Sequence, residues 1–190
     1  MALLKGLRRK DSPNELPTMG KINFDTKLGI KKYVPKDNTL SLEYLREHPA
    51  GQYPDLYTLE EERTEYNRCV TTAFVNFVVD QLQTETSLFG DFKYHDSGTG
   101  GTAENATDTG METATGIARA TGTQTEGASA NIYRSVGTIT YNDTFAIVEH
   151  GLFNASSSGT LMDRTVFSAI NVVSGNQIEF TYEITFTAGS

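Results

Sequence analysis

The chain has 190 residues, 37% of them apolar, and a net charge of −8. That length suits one domain with a core plus an appendage, and the low apolar share places part of the chain outside the core. A single cysteine, Cys69, excludes an intrachain disulfide scaffold, no stretch approaches the roughly 18 apolar residues that span a membrane, and the acidic balance disfavours a body that grips nucleic acid.

Charge and composition divide the chain. Residues 1–36 hold nine Lys/Arg and three Asp/Glu, whereas residues 37–96 hold four and twelve, and residues 97–190 three and nine. All five prolines lie at or before Pro54, and thirteen of the seventeen glycines lie at or after Gly90. The opening Met1–Lys10 turns from apolar to basic, the reverse of a secretion signal, so the expected site of folding is a cytoplasm.

Residues 1–57 are predicted to form an extended N-terminal arm, because prolines recur and apolar residues have no long period. A short helix is expected near Leu40–Glu47, capped by Asn38 or Thr39. Ile22, Phe24, Leu28, Ile30, Tyr33 and Val34, with Lys31 and Lys32 among them, are candidate anchors for a groove on a partner.

Residues 58–84 are predicted to be one long amphipathic helix packed on the body. Thr58 and Glu61 match a capping box, and Glu60–Glu62 would suit the positive end of the helix dipole. Leu59, Tyr66, Val70, Ala73, Phe74, Phe77 and Val78 give an apolar stripe. Cys69 falls in this segment and reads as a small buried hydrophobe.

Residues 85–190 are predicted to be a mainly β body, an antiparallel β-sandwich of jelly-roll or immunoglobulin-like type. Apolar and polar residues alternate through Gln177–Thr187, after a turn at Ser174–Asn176. Thr160–Val173 is its expected partner. Ile132–Tyr141 and Thr144–His150 form a second pair, Phe92–His95 is a short strand and Met111–Thr121 a weaker one. Long loops within 97–130 are expected at an intersubunit surface.

The sequence contains no strong catalytic, cofactor or metal motif. His48, His95 and His150 lie in no metal-binding pattern and read as polar residues at sheet edges. His95 adjoins Asp96, and His150 adjoins Glu149, but neighbours on a strand point to opposite faces, so neither pair meets. Gly98–Gly101 lacks the ending of a phosphate loop. Asn105, Asn142 and Asn154 match the glycosylation pattern by chance in Thr-rich sequence.

The run Phe92–Glu104, that from Ala120 through Ser135 and that from Glu149 to Ser190 resemble recurring segments of tailed-bacteriophage virion proteins. The resemblance covers roughly residues 70–190 and implies a component of a phage particle assembled in the host cytoplasm. The expected role is a capsid decoration (cement) protein without enzymatic activity or cofactor. Its partners would be itself, as a trimer, and the major capsid protein or another virion protein, with no membrane or nucleic acid engaged. The alternatives are a neck, tail or fibre-adaptor protein, and a carbohydrate-binding module stacking sugars on Tyr133 and Tyr141.

Overall fold

A computed structural model describes residues 23–83 and 91–187. The chain is mainly β, with two antiparallel sheets of five strands each. The first sheet has the order β2-β1-β10-β7-β6 and comprises β1 (Asn23–Pro35), β2 (Tyr57–Tyr66), β6 (Thr123–Glu126), β7 (Ile132–Thr140) and β10 (Gln177–Thr187). The second has the order β3-β9-β8-β4-β5 and comprises β3 (Cys69–Val70), β4 (Tyr94–Gly98), β5 (Ala120–Thr121), β8 (Phe145–Phe153) and β9 (Leu161–Val172). Two α-helices are described, α1 (Leu42–Glu47) and α2 (Thr72–Gln83), with a 3-10 turn at Pro54–Leu56.

The inward faces of both sheets share one core. Leu28 and Ile30 of β1, Ile139 of β7, and Ile178, Phe180, Tyr182 and Ile184 of β10 meet Ile147, Leu152, Phe167 and Ile170 of β8 and β9. The alternation read from 177–187 is the observed one: Ile178, Phe180, Tyr182 and Ile184 are buried, whereas Glu179 and Thr181 are half-buried on the other face. The strands expected within 132–150 and 160–187 form, with β8 continuing to Phe153. The expected hairpin pairs are corrected: β7 pairs with β10 in the first sheet and β8 with β9 in the second, so the turns at Asn142–Asp143 and Ser174–Asn176 each carry the chain from one sheet to the other. Of Met111–Thr121 only Ala120–Thr121 is strand, beyond an isolated bridge from Ala114 to Gly98.

The predicted arm is corrected. Residues 23–35 are a strand inside the first sheet, with eleven residues of β1 opposite β10 and β2 on the other side. Pro35 ends the strand, so the missing donor falls at its limit. Leu28 and Ile30 sit on the alternate positions that face the core and are 1% and 0% exposed. Residues 36–56 then cover part of the sheet's outer face through a small second core of Leu45, Ala50 and Tyr57. Gln177 fastens this loop: its Nε2 donates to Leu45 O at 2.7 Å and Thr140 Oγ1 at 3.1 Å, and its Oε1 accepts from Ala50 N at 2.8 Å. The N-cap of α1 is Ser41, whose Oγ accepts from Tyr44 N, while Asp37 takes up Thr39.

The predicted 58–84 helix is also corrected. Its first part is the edge strand β2, its middle is β3, and only Thr72–Gln83 is helical. The Glu-rich run has helix propensity, but propensity is weak beside pairing to a neighbouring strand. Cross-strand ion pairs reward that pairing: Lys31 meets Glu62 at 3.6 Å and Lys32 meets Glu60. Asn67, at φ 51°, breaks the chain direction after β2. Thr71 caps α2, its Oγ1 accepting from Phe74 N at 3.2 Å. Phe74 enters the main core beside Phe92, and Phe77 and Val78 pack against its edge.

The register makes a direct prediction. Phe180→Ala should lower unfolding free energy by about 3–5 kcal/mol, and Thr181→Ala by well under about 1 kcal/mol, in urea denaturation. Equal losses would place β10 the other way round.

Candidate functional site

Two clusters of buried polar residues are the places where this chain holds chemistry. The first lies between the sheets. His95 of β4 and His150 of β8 are both 0% exposed, and their rings bond through His95 Nδ1 and His150 Nε2 at 3.0 Å. His95 Nε2 reaches across the core to Ser135 Oγ of β7 at 2.8 Å. Glycine makes the space: a Cβ on Gly122 or Gly137 would run into the His95 ring. The sheet-edge reading of these two histidines is therefore corrected. Asp96 and Glu149 point outward as the alternation required, and the histidines point in.

The bond needs one N–H and one lone pair. With His150 Nε2 donating to His95 Nδ1, His95 Nε2 donates to Ser135, and His150 Nδ1 is left as a bare acceptor. The opposite arrangement would strand an N–H there, and no described group bonds to His150 Nδ1. Burial favours the neutral rings, pushing His95 down to about 3 and His150 well below its ordinary value, where His95 also contributes. Ser135, His95 and His150 share the connectivity of a nucleophile, a base and an orienting group. All three are fully buried, so a substrate carbon cannot come within the roughly 3 Å that attack requires. In this conformation the trio is a polar tie between the two sheets.

Asp163 of β9 belongs to the same interior. Its Oδ1 accepts from Thr165 Oγ1 at 2.8 Å, and among described residues nothing bonds to its Oδ2 or to the Tyr182 hydroxyl. Burial raises Asp163 to about 7.

The second cluster lies on the outer face of the second sheet, where residues 99–119 cross over it. Glu149, 0% exposed, accepts from the backbone N–H groups of Gly100, Thr113 and Glu112 at 3.1, 2.8 and 3.1 Å. Arg164 lies beside it, its Nε at 2.7 Å from Glu149, its Nη1 at 3.0 Å from Asp108 and its Nη2 at 3.3 Å from Glu112. Arg119 closes the far end, donating to Asp96 at 3.0 Å with its guanidinium 3.4 Å from the Phe153 ring centre. A concavity of about 580 Å³ opens above Arg164, between Thr102 and Glu112. The loop is thus a surface of fixed shape, held by a network in which each buried charge has an opposite partner.

The predicted arm residues fall elsewhere. Leu28 and Ile30 belong to the core and are closed to a partner. Phe24 packs edge-on against Phe74 and Phe186, and Tyr33 against Tyr57. Val34 is half-buried at the end of β1, and Lys31 and Lys32 pair with β2. Ile22 lies outside the described residues. Tyr133 and Tyr141, expected as sugar platforms, are turned inward: Tyr133 donates to Phe92 O, and Tyr141 is fully buried with its hydroxyl on Ser97 Oγ at 3.1 Å. Cys69 is half-buried, and burial raises its thiol pKa, which holds it in the unreactive form. The His95–His150 contact joins residues 55 apart and appears only once β4 and β8 are in register.

No family model, no curated protein and no solved structure matches the chain.

The network predicts that Arg164→Ala, which leaves Glu149 buried and unpaired, will destabilise by about 3–5 kcal/mol and free residues 99–115 to protease. A small loss with the loop still protected would contradict the network.

The interior predicts a pH dependence of two signs. Between about pH 3 and the ordinary imidazole value of 6.5, the unfolded chain binds protons that folded His95 and His150 refuse, so stability falls with acid. From about 3.8 to about 7, folded Asp163 keeps a proton that the unfolded chain releases, so its own contribution falls as pH rises. Asp163→Asn should therefore stabilise at pH 8 by roughly 2–4 kcal/mol and change little at pH 4, read from urea midpoints. An equal effect at both pH values would mean that Asp163 is ionised in the fold.

Proposed function

We propose that the chain is a structural component of a tailed-bacteriophage virion, a capsid decoration (cement) protein whose body is a β-sandwich of jelly-roll or immunoglobulin-like type. The resemblance of residues 70–190 to virion proteins supplies the particle. The observation that carries the structural role is where the polar chemistry goes. Gln177 ties residues 36–56 to one outer face, and Glu149 with Arg164 ties 99–115 to the other. Both loops are set in shape before any partner arrives, which lowers the ordering cost of docking.

The edges of the sheets suit a body that meets partners without stacking into fibres. Three of the four edge strands have four residues or fewer. The long one, β2, carries Glu60, Glu61, Glu62, Arg63 and Glu65, and charge of this kind blocks uncontrolled strand addition. Attachment through the chain's start now rests on residues 1–22, with five basic and two acidic side chains. The proposed partners are two further copies in a trimer, and an acidic patch on the major capsid protein or another virion protein.

Copy number per particle tests this reading, by gel densitometry against the major shell protein. A simple whole-number ratio to the shell protein supports decoration. The copy number of a single ring would place the protein at a neck or tail and overturn the cement role. Removing residues 1–22 is expected to leave the body's β-sheet circular dichroism intact and to abolish particle binding, whereas removing 1–35 takes out β1 and should unfold the body. Full-occupancy binding by the shorter truncation would remove the attachment role from that segment.

A further inference from the structure

The turn Pro49–Gln52 stands on the outer face of the first sheet, with His48 before it and Tyr53 after it. The Tyr44 ring stacks on His48 with centroids 4.0 Å apart, and Tyr53 meets His48 edge-on at 4.7 Å. Tyr44 and Tyr53 are nevertheless 38% and 42% exposed. A gathering of rings left facing water calls for an occupant more than single exposed residues do. These rings are also held in place. His48 Nδ1 bonds Tyr44 O at 2.8 Å, Tyr57 donates to His48 O at 2.8 Å, and Gln177 anchors Leu45 and Ala50 from beneath.

Beside the turn lies a concavity of about 230 Å³. Thr123, Thr125, Val136 and Thr138 line it from β6 and β7, Glu179 from β10, and Gln52 from the turn. The turn comes down so closely that a Cβ on Gly51 would collide with the Glu179 carboxylate. Among the described residues nothing hydrogen-bonds to that carboxylate, which is half-buried.

The chemistry of this groove selects a class of ligand. Threonine hydroxyls donate and accept, a side-chain amide does both, and a carboxylate accepts from two neighbouring hydroxyls. Tyrosine rings offer flat apolar faces with polar tips. That combination matches a pyranose ring, which has a C–H face and a rim of hydroxyls. Charge narrows the class further. Lys31 stands opposite Glu179 in the β1–β10 ladder and offsets its charge, so a cation gains little, while the carboxylate repels an anion.

We propose that the Pro49–Gln52 turn and its groove form a binding site for a neutral oligosaccharide, stacked on Tyr53 and Tyr44 and held by Glu179, Gln52 and the threonines of β6 and β7. The site goes beyond the particle role and does not depend on it. A decoration protein bearing it would hold sugar chains near the particle surface.

The test is titration of the full ¹⁵N-labelled chain with cellohexaose, maltohexaose and mannohexaose in turn, read by amide shifts. At least one should move residues 44–53 and 123–138 together, with a millimolar or tighter constant. The Tyr44→Ala/Tyr53→Ala variant should weaken that binding about tenfold or more while leaving the β-sheet spectrum unchanged. Gln52→Ala, on an exposed turn, should weaken it without touching the small core beneath. Absence of shifts with all three sugars overturns the site, as does undiminished binding by both variants.

Discussion

The backbone of Asn23–Pro35 bonds in two directions, to β2 on one side and to β10 on the other. The first described strand is therefore paired with the last, and it is interior to its sheet. Its inward residues, Leu28 and Ile30, complete the core under Phe180 and Tyr182. Its lysines hold the edge: Lys31 and Lys32 draw the acidic β2 into place, and Lys27 meets Glu183 of β10 at 3.0 Å. Strand β2 has little apolar surface of its own, so its position depends on β1. The main-core faces of β10 and β2's ion pairs would both be open to water without it. Burial of this kind, about 25 cal/mol per Å² of apolar surface, is what holds a two-layer body together.

Given that frame, the polar interior becomes intelligible. His95, His150 and Ser135 make one chain of hydrogen bonds across the gap between the sheets, a directional contact among the apolar ones. Such a tie fixes how the layers sit, since any slide breaks bonds that water cannot replace. Glu149 and Arg164 act likewise on the outside of the second sheet, where a loop with few large apolar residues has little else to fasten it. Both devices exact a dependence on pH or on partner integrity that an apolar contact would not. In return, the layers keep one alignment and the loop over the second sheet keeps one shape.

Much of this could be read from the residues. The alternation in Gln177–Thr187 located β10 and its buried face, but not its partners: the turn at Ser174–Asn176 joins it to β9 in the other sheet, and β10 pairs with β1 and β7, which only the tertiary fold brings beside it. Phe74, Phe77 and Val78 were placed correctly on a core-facing helix. Where the reading failed, the competing force was tertiary. Thr58–Tyr66 has the composition and charge of a helix start, yet its glutamates find lysines on β1 at strand spacing. Asn23–Pro35 alternates only loosely, with lysines at Lys31 and Lys32 and a bulge at Lys32/Tyr33, and so looked like an arm. The two buried clusters were not legible. His95, His150 and Ser135 come from three strands, and Glu149 and Arg164 from two, so only the strand register brings them together. The aromatic turn at His48–Tyr53 was hidden for the same reason, because its groove is completed by residues 70 or more positions later in the chain.

The account turns on β1 being part of the body rather than an appendage to it. Native-state hydrogen exchange resolved by residue measures this most directly. If β1 is built in as described, the amides of Leu28 and Ile30 will exchange as slowly as those of Phe180 and Tyr182, and all four will open together as denaturant is raised. If Leu28 and Ile30 exchange at the rate of a free chain while Phe180 stays protected, residues 23–35 are an arm after all, and the two-sheet body must close without them.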